Sequence, residues 1–387
     1  MLEKPLKDLT VIELSAQAPG PLCGQILADY GARVIRVDRV TSTSNPDRLT
    51  RGKESIALNL RHKSGKKVLR RILESDKVDI LIDPYRPGVL ERFEVLPQHR
   101  PAGKKPLIVV RLTGYGQTGK LSKMPGHDIN FLAESGVLGI IGPPNEAPTI
   151  PANILGVFGA LALPAFASIM TTLYALSKDK GESKKPYIIV DVNVVHSLRY
   201  LTQYASYLKY GSYPKNPEPE FKNTWDASRG MNVLEGYVCP YYTIYSTKDD
   251  GEYVSIGAME EQFYQQFLEL LYGKNVPKLP DRDDSNNWSA LRNIFAQEFK
   301  KHGIEYWKKK ADEYPNSCAV PVRRLATPDE VPQQLVQLDS DKQKGSVRGG
   351  YPLVPGKNTT EVLDEFLGIS WRTEYGEEFA RQSKPKI

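Results

Sequence analysis

The sequence predicts an α/β protein in which a large domain is built on a parallel sheet and a smaller domain is α+β. Three observations carry this expectation. The first third alternates short apolar runs with amphipathic stretches, and strands alternating with helices at that spacing pair in parallel through crossovers. The 387 residues, 40% of them hydrophobic, exceed what one core usually holds. From Lys209 to Lys222 the pattern gives way to a stretch rich in Pro, Lys and Glu, which reads as a linker. The linker is expected over 209–227.

In chain order, Thr10 to Leu14 reads as a strand, Pro21 to Tyr30 as a helix, and Arg33 to Val37 as a second strand. Ser64 to Ser75 has helical periodicity, and Val78 to Ile82 and Leu107 to Leu112 are short apolar strands. The first turn, Ala18-Pro19-Gly20-Pro21 with Gly24 after it, departs from GxGxxG. This disfavours a dinucleotide site and leaves these residues fixing a strand-to-helix turn. A long helix is expected over Ile154 to Ser177, a strand at Tyr187 to Val192, and then a helix whose Tyr200, Tyr204 and Tyr207 share a face used for packing. Tyr241 to Tyr245 and Tyr253 to Gly257 form an expected hairpin around Asp249-Asp250-Gly251, followed by a helix over Glu261 to Tyr272 and a polar loop over Pro277 to Asn287. Thr327-Pro328-Asp329-Glu330 has capping-box spacing with proline at the first helical position, so a helix should begin there.

The formal charge of +6 suits an anionic partner, yet basic residues are interspersed with acidic ones along the chain. That spread speaks against a nucleic-acid tail or a polybasic membrane anchor. Cys23, Cys239 and Cys318 are odd in number and widely separated, which suggests neither a disulfide framework nor a zinc site and fits a reducing intracellular compartment. The opening MLEKPLKDLTVIEL lacks the apolar core of a secretory signal. Pro385-Lys386-Ile387 is a loose variant of the tripeptide read as a peroxisomal address, with the cytoplasm and mitochondrion as alternatives. Ala147 to Ser177 contains no charge, but it holds three prolines and stands alone between polar segments. A helix buried on all sides is expected there, not a membrane span.

For chemistry, spacing alone offers Gly126-His127-Asp128, placed in a loop before an apolar stretch. Imidazole suits proton transfer near neutrality, although a histidine beside an aspartate is also a common structural arrangement. His62, His99, His196 and His302 have no partner spacing and read as solvated.

Taken together, the segments VIELSAQAPGPLCGQILADYGARVIRVDR, RGKESIALNL, PYRPGVLERF, RLTGYGQTG, GHDINFLAESGVLGIIG, RGMNVLEGYVCPYYTIY, GAMEEQFY and TTEVLDEFLGIS resemble the family III CoA-transferase and racemase group, in the family's order over nearly the whole chain. Within it they look most like the α-methylacyl-CoA racemases. The resemblance implies an interlocked homodimer in which a Rossmann-like large domain is built from both chain ends, 1–208 and 325–387, with a small domain over 228–324. It implies an acyl-CoA thioester as substrate, with CoA entering as part of that substrate and no separate cofactor. Arg39 and the backbone of Ala57, Leu58, Asn59 and Leu60 would bind CoA, and Arg61 and Arg86 would face its phosphates, a task suited to guanidinium groups. Gly126, Asp128, Ile129, Asn130 and Phe131, at the start of a helix, would bind near the thioester oxygen.

The reaction implied is 1,1-proton transfer at the α-carbon of a 2-methylacyl-CoA through an enolate. Inversion needs two groups on opposite faces. His127 matches one of them, and Glu260 matches the carboxylate that orients it. The other would be an Asp in an Asn-x-x-Gly/Ala-Asp-Phe pattern, which here runs from Asn153 to Phe158 with Val157 in its place. An isopropyl group neither transfers a proton nor attacks a thioester. A CoA-transferase is therefore disfavoured, and a non-catalytic or divergent acyl-CoA-binding member stands as the alternative to a racemase.

Overall fold

The computed structural model describes residues 4–16, 18–42, 44, 46–101, 104–179, 185–210, 227–336 and 353–376. Most of the 209–227 segment and Pro385-Lys386-Ile387 lie outside the described residues. The chain forms two compact units, 1–135 with 151–200 and 326–387, and 136–150 with 201–325. The second unit thus includes 136–150 and starts at Leu201, besides the run expected at 228–324.

The first unit is built on a six-stranded sheet in the order β3-β2-β1-β4-β5-β6. The strands are β1 Thr10–Leu14, β2 Arg33–Asp38, β3 Lys53–Ala57, β4 Ile80–Asp83, β5 Leu107–Thr113 and β6 Tyr187–Asn193. Every pairing is parallel, and β4 and β5 are buried along their whole length, as strands covered on both faces must be. The order reverses between β1 and β4, so a Rossmann-like crevice opens at the C-terminal ends of these strands.

Helix α1 (Pro19–Asp29) begins on a proline, whose fixed φ suits a first turn. Helix α2 (Lys63–Glu74) buries Val68, Leu69, Ile72 and Leu73 and leaves its Lys and Arg side outward. His62, read from sequence as solvated, caps it: its ring Nδ1 accepts the Ser64 N–H at 3.2 Å. After α3 (Val89–Phe93) and β5 comes α4 (Asp128–Ser135).

Strand β3 was not among the expected elements. Its exposed edge is closed by the far end of the chain: Ser55 and Ala57 donate their N–H groups to Asn358 Oδ1 (3.1 Å) and Thr359 Oγ1 (2.9 Å). In return the Asn358 and Gly356 N–H groups donate to Ser55 O (2.7 Å) and Oγ (2.8 Å). Helices α11 (Thr359–Leu367) and α12 (Trp371–Tyr375) then bury Val362, Leu363 and Trp371 in the same core as Ile12, Ile35 and Ile56.

Three sequence expectations are corrected here. The long helix is composite, a π-helical run Leu155–Ala162 leading into α5 (Leu163–Lys178). Together they form the one helix among the described residues apolar and long enough to cross a membrane by composition, with 39% of the apolar window buried. Burial on all sides is therefore not what the chain does: within α5 only Ala165, Ile169 and Leu176 are buried, because the sheet covers one side alone. The tyrosine stripe is split between helices α6 (Val194–Leu201) and α7 (Gln203–Tyr210), and Tyr200, Tyr204 and Tyr207 are exposed rather than packed. The helix expected at Thr327 is only a turn, although Thr327 N–H and Oγ1 do donate to Glu330 Oε2. Pro332 follows at once and disfavours the α conformation at Val331.

The second unit carries β7 (Tyr242–Ser246), β8 (Tyr253–Gly257) and β9 (Ala319–Pro321) in an antiparallel sheet. Helices α8 (Glu261–Tyr272), α9 (Trp288–Phe299) and α10 (Ile304–Glu313) complete it. Its core is aromatic, with Tyr245 stacked on Phe299 at 4.9 Å and Phe267 edge-on to Phe295 at 5.1 Å.

Candidate active site

Because the strands are parallel, the residues that follow them share one edge of the sheet. Arg39 follows β2, Asn59, Leu60 and Arg61 follow β3, and Arg86 follows β4. Arg39, Arg61 and Arg86 are exposed, and their guanidinium groups make no hydrogen bond or ion pair among the described residues. By contrast, Arg36 is paired with Asp38 and Asp47, Arg51 with Asp29, and Arg111 with Asp83 and Glu91. Cations left uncommitted at this edge are the ones able to meet phosphates.

The backbone run is less open than expected. Ala57 and Leu58 are buried, and their N–H groups are taken by Thr359 Oγ1 and Asp38 O. What remains for a ligand is the half-buried pair Asn59 and Leu60 and the exposed Arg61. The turn carrying Arg86 is pinned from below, since Asp83 accepts the Tyr85 N–H (2.9 Å) and Arg111 Nε (3.2 Å). Burial pushes the Asp83 carboxyl up to about 6, against the pull of those two donors.

Helix α4 starts at Asp128, with His127 before it. The His127 N–H donates to Asn130 Oδ1 at 3.0 Å, and the His127 carbonyl accepts the N–H groups of Asn130 and Phe131. The N–H groups of Asp128 and Ile129 have no acceptor among the described residues, as expected for a first turn. The His127 side chain is exposed. Two glycines allow this arrangement. A Cβ on Gly114 would lie 2.0 Å from the Phe131 ring, and one on Gly126 would lie 2.7 Å from that ring and 3.0 Å from Tyr115 Oη. Tyr115 and Phe131 meet edge to face at 4.9 Å, so the loop after β5 and the loop before α4 interlock around one ring. Nothing in the sequence spacing singles out Tyr115.

Val157 lies in the first turn of the π-helical run, a geometry frequent at functional sites. The loop leading into it has positive φ at Ala152 (51°) and Asn153 (60°), and Asn153 is exposed. The Val157 N–H donates to Asp128 Oδ1 at 2.6 Å. A Cβ on Gly156 would sit 2.1 Å from the same oxygen. His127, Asp128, Gly156 and Val157 are thus brought together within the first unit. Glu260 belongs to the second unit. Its carbonyl accepts the Phe263 and Tyr264 N–H groups at the start of α8, and its carboxylate is exposed with no hydrogen bond among the described residues. Burial, and then Glu260, raise the Cys318 thiol above its ordinary range.

The model of CoA-transferase family III matches residues 6–342. The chain belongs to CoA-transferase family III. Among similar family members, the α-methylacyl-CoA racemase of Homo sapiens is 33% identical over 385 residues, covering 93% of each chain. That of Mus musculus is 37% identical over 318 residues, covering 82% of this chain and 77% of the other. A CAIB/BAIF family protein from Brucella suis shares the fold, with a TM-score of 0.71 over 94% of this chain and all of that one, at 20% identity. For a family III chain, which handles acyl-CoA, the uncommitted arginines and the open N–H groups beside His127 are the features to interpret chemically.

Proposed function

We propose that this family III chain is an isomerase that removes and returns the α-proton of 2-methylacyl-CoA thioesters. The observation that carries the proposal is the start of α4. There an exposed imidazole stands beside two N–H groups without acceptors among the described residues, so a proton acceptor and donors for a developing oxyanion lie within one turn of backbone. In this reading His127 takes the α-proton, the C–H electron pair moves onto the thioester oxygen, and the Asp128 and Ile129 N–H groups stabilise the enolate. Arg39, Arg61 and Arg86 hold the CoA phosphates, with Asn59 and Leu60 alongside. The similarity to the human and mouse racemases over most of the chain supports the same chemistry.

The test is incubation with (R)- and (S)-2-methyldecanoyl-CoA in deuterium oxide, with label expected at the α-carbon. CoA binding without uptake from either enantiomer would favour the second reading, a non-catalytic acyl-CoA-binding member, for which Val157 is the specific observation. Hydroxylamine is expected to trap no acyl-enzyme, since position 157 has no carboxylate to attack a thioester.

We also propose that the protein is a homodimer. The support is apolar surface that the single chain leaves open in its first unit, at Ile154, Tyr174, Ile189 and Tyr200. Sedimentation should give twice the chain mass of 43.4 kDa; a monomer at micromolar concentration would rule this out.

A further inference from the structure

Asp128 is only 5% exposed, and its two carboxylate oxygens are treated differently. Oδ1 accepts the Val157 N–H, while Oδ2 is fully buried with no hydrogen-bond partner among the described residues. Capping the π-helical run accounts for the first oxygen and not for the second. A buried polar atom without a partner costs stability, and in a native site such an atom calls for a role in binding or reaction. Its place is specific. The missing side chain of Gly156 makes room for this carboxylate, and the neighbouring residue is the valine that stands where a racemase would carry its second acid. At the start of α4 His127 is exposed and Asp128 is buried.

Resting on the function proposed above, we propose that Asp128 is the second proton carrier of this enzyme, in place of the carboxylate that Val157 removes. In one direction neutral His127 takes the α-proton, the C–H bond breaks and its electron pair becomes the enolate. The Asp128 carboxyl then gives its proton to the other face, and the returning pair forms the new C–H bond. Imidazolium and carboxylate are left, and return of one proton from the imidazolium to the carboxylate restores the start. The reverse direction exchanges the two roles, and nothing is consumed.

The test compares the parent, Asp128→Asn and Asp128→Asn/Val157→Asp on (R)- and (S)-2-methyldecanoyl-CoA in deuterium oxide, scoring label uptake and inversion separately. Asparagine keeps an oxygen for the Val157 N–H. The single variant should therefore retain uptake from one enantiomer while inversion falls roughly 10²–10⁴-fold, and Val157→Asp should restore inversion at least about tenfold. Inversion by Asp128→Asn within about threefold of the parent would overturn the assignment. Equal loss of uptake and inversion, unrelieved by Val157→Asp, would overturn it as well and leave Asp128 a backbone support. A parent that takes up no label from either enantiomer would remove the functional reading itself, which is a different result from either of these.

Discussion

Replacing His127 by alanine should lower α-deuterium uptake roughly 10²–10⁴-fold, the range for loss of a positioned acid or base, while CoA affinity changes by less than about threefold. The separation follows from how the residue is held. Its N–H and carbonyl cap α4 through Asn130 and Phe131, and alanine keeps both backbone groups. The imidazole is exposed. The uncommitted guanidinium groups of Arg39, Arg61 and Arg86 are untouched. Mass-spectrometric uptake alongside calorimetric titration with CoA separates the two quantities, and uptake within about fivefold of the parent would show that another group takes the proton.

The largest stability effect is expected from Lys53→Met. Lys53 Nζ lies 2.7 Å from Glu13 Oε2 and donates to Pro21 O at 2.8 Å, and both charged side chains are fully buried. The other Glu13 oxygen has no hydrogen bond among the described residues, and Arg36 lies 3.9 Å from it. Methionine matches the lysine in volume, so the change removes charge and leaves packing in place. A buried carboxylate without its partner costs about 3–5 kcal/mol, which for a domain of this size is roughly 6–20 °C in Tm. Glu13→Gln added to Lys53→Met should recover most of the loss, because the amide carries no charge to desolvate. A single variant melting within about 2 °C of the parent would show that Glu13 is compensated from elsewhere.

This pair also explains what could be read from the sequence and what could not. Strands β1, β2, β4 and β5 are runs of Val, Ile and Leu, and burial on both faces makes such strands legible. Strand β3, Lys-Glu-Ser-Ile-Ala, is the edge strand of the same sheet, but its lysine is buried against a glutamate 40 positions away, and no local pattern announces that. The capping box at Thr327 was legible as chemistry and misleading as structure, because a single proline ended what it began. At the site, His127 and the basic residues could be placed through the family pattern. The Asp128 link to Val157 spans 29 positions and has no periodic signature. The exposed tyrosines were read as packing, and the described residues leave more than half of each side chain open.

The tie between β3 and residues 356–359 has a consequence for how the molecule comes into being. Synthesis delivers Ser55 and Ala57 early, while Asn358 and Thr359 arrive some 300 residues later. Until then the outer rim of the sheet offers unpaired N–H groups to any passing strand, the usual start of misassociation. Contacts so distant in sequence also form slowly. The loop that leads to Arg61 is therefore finished only when residues 356–359 dock, and in the function proposed above competence to hold CoA arrives with them.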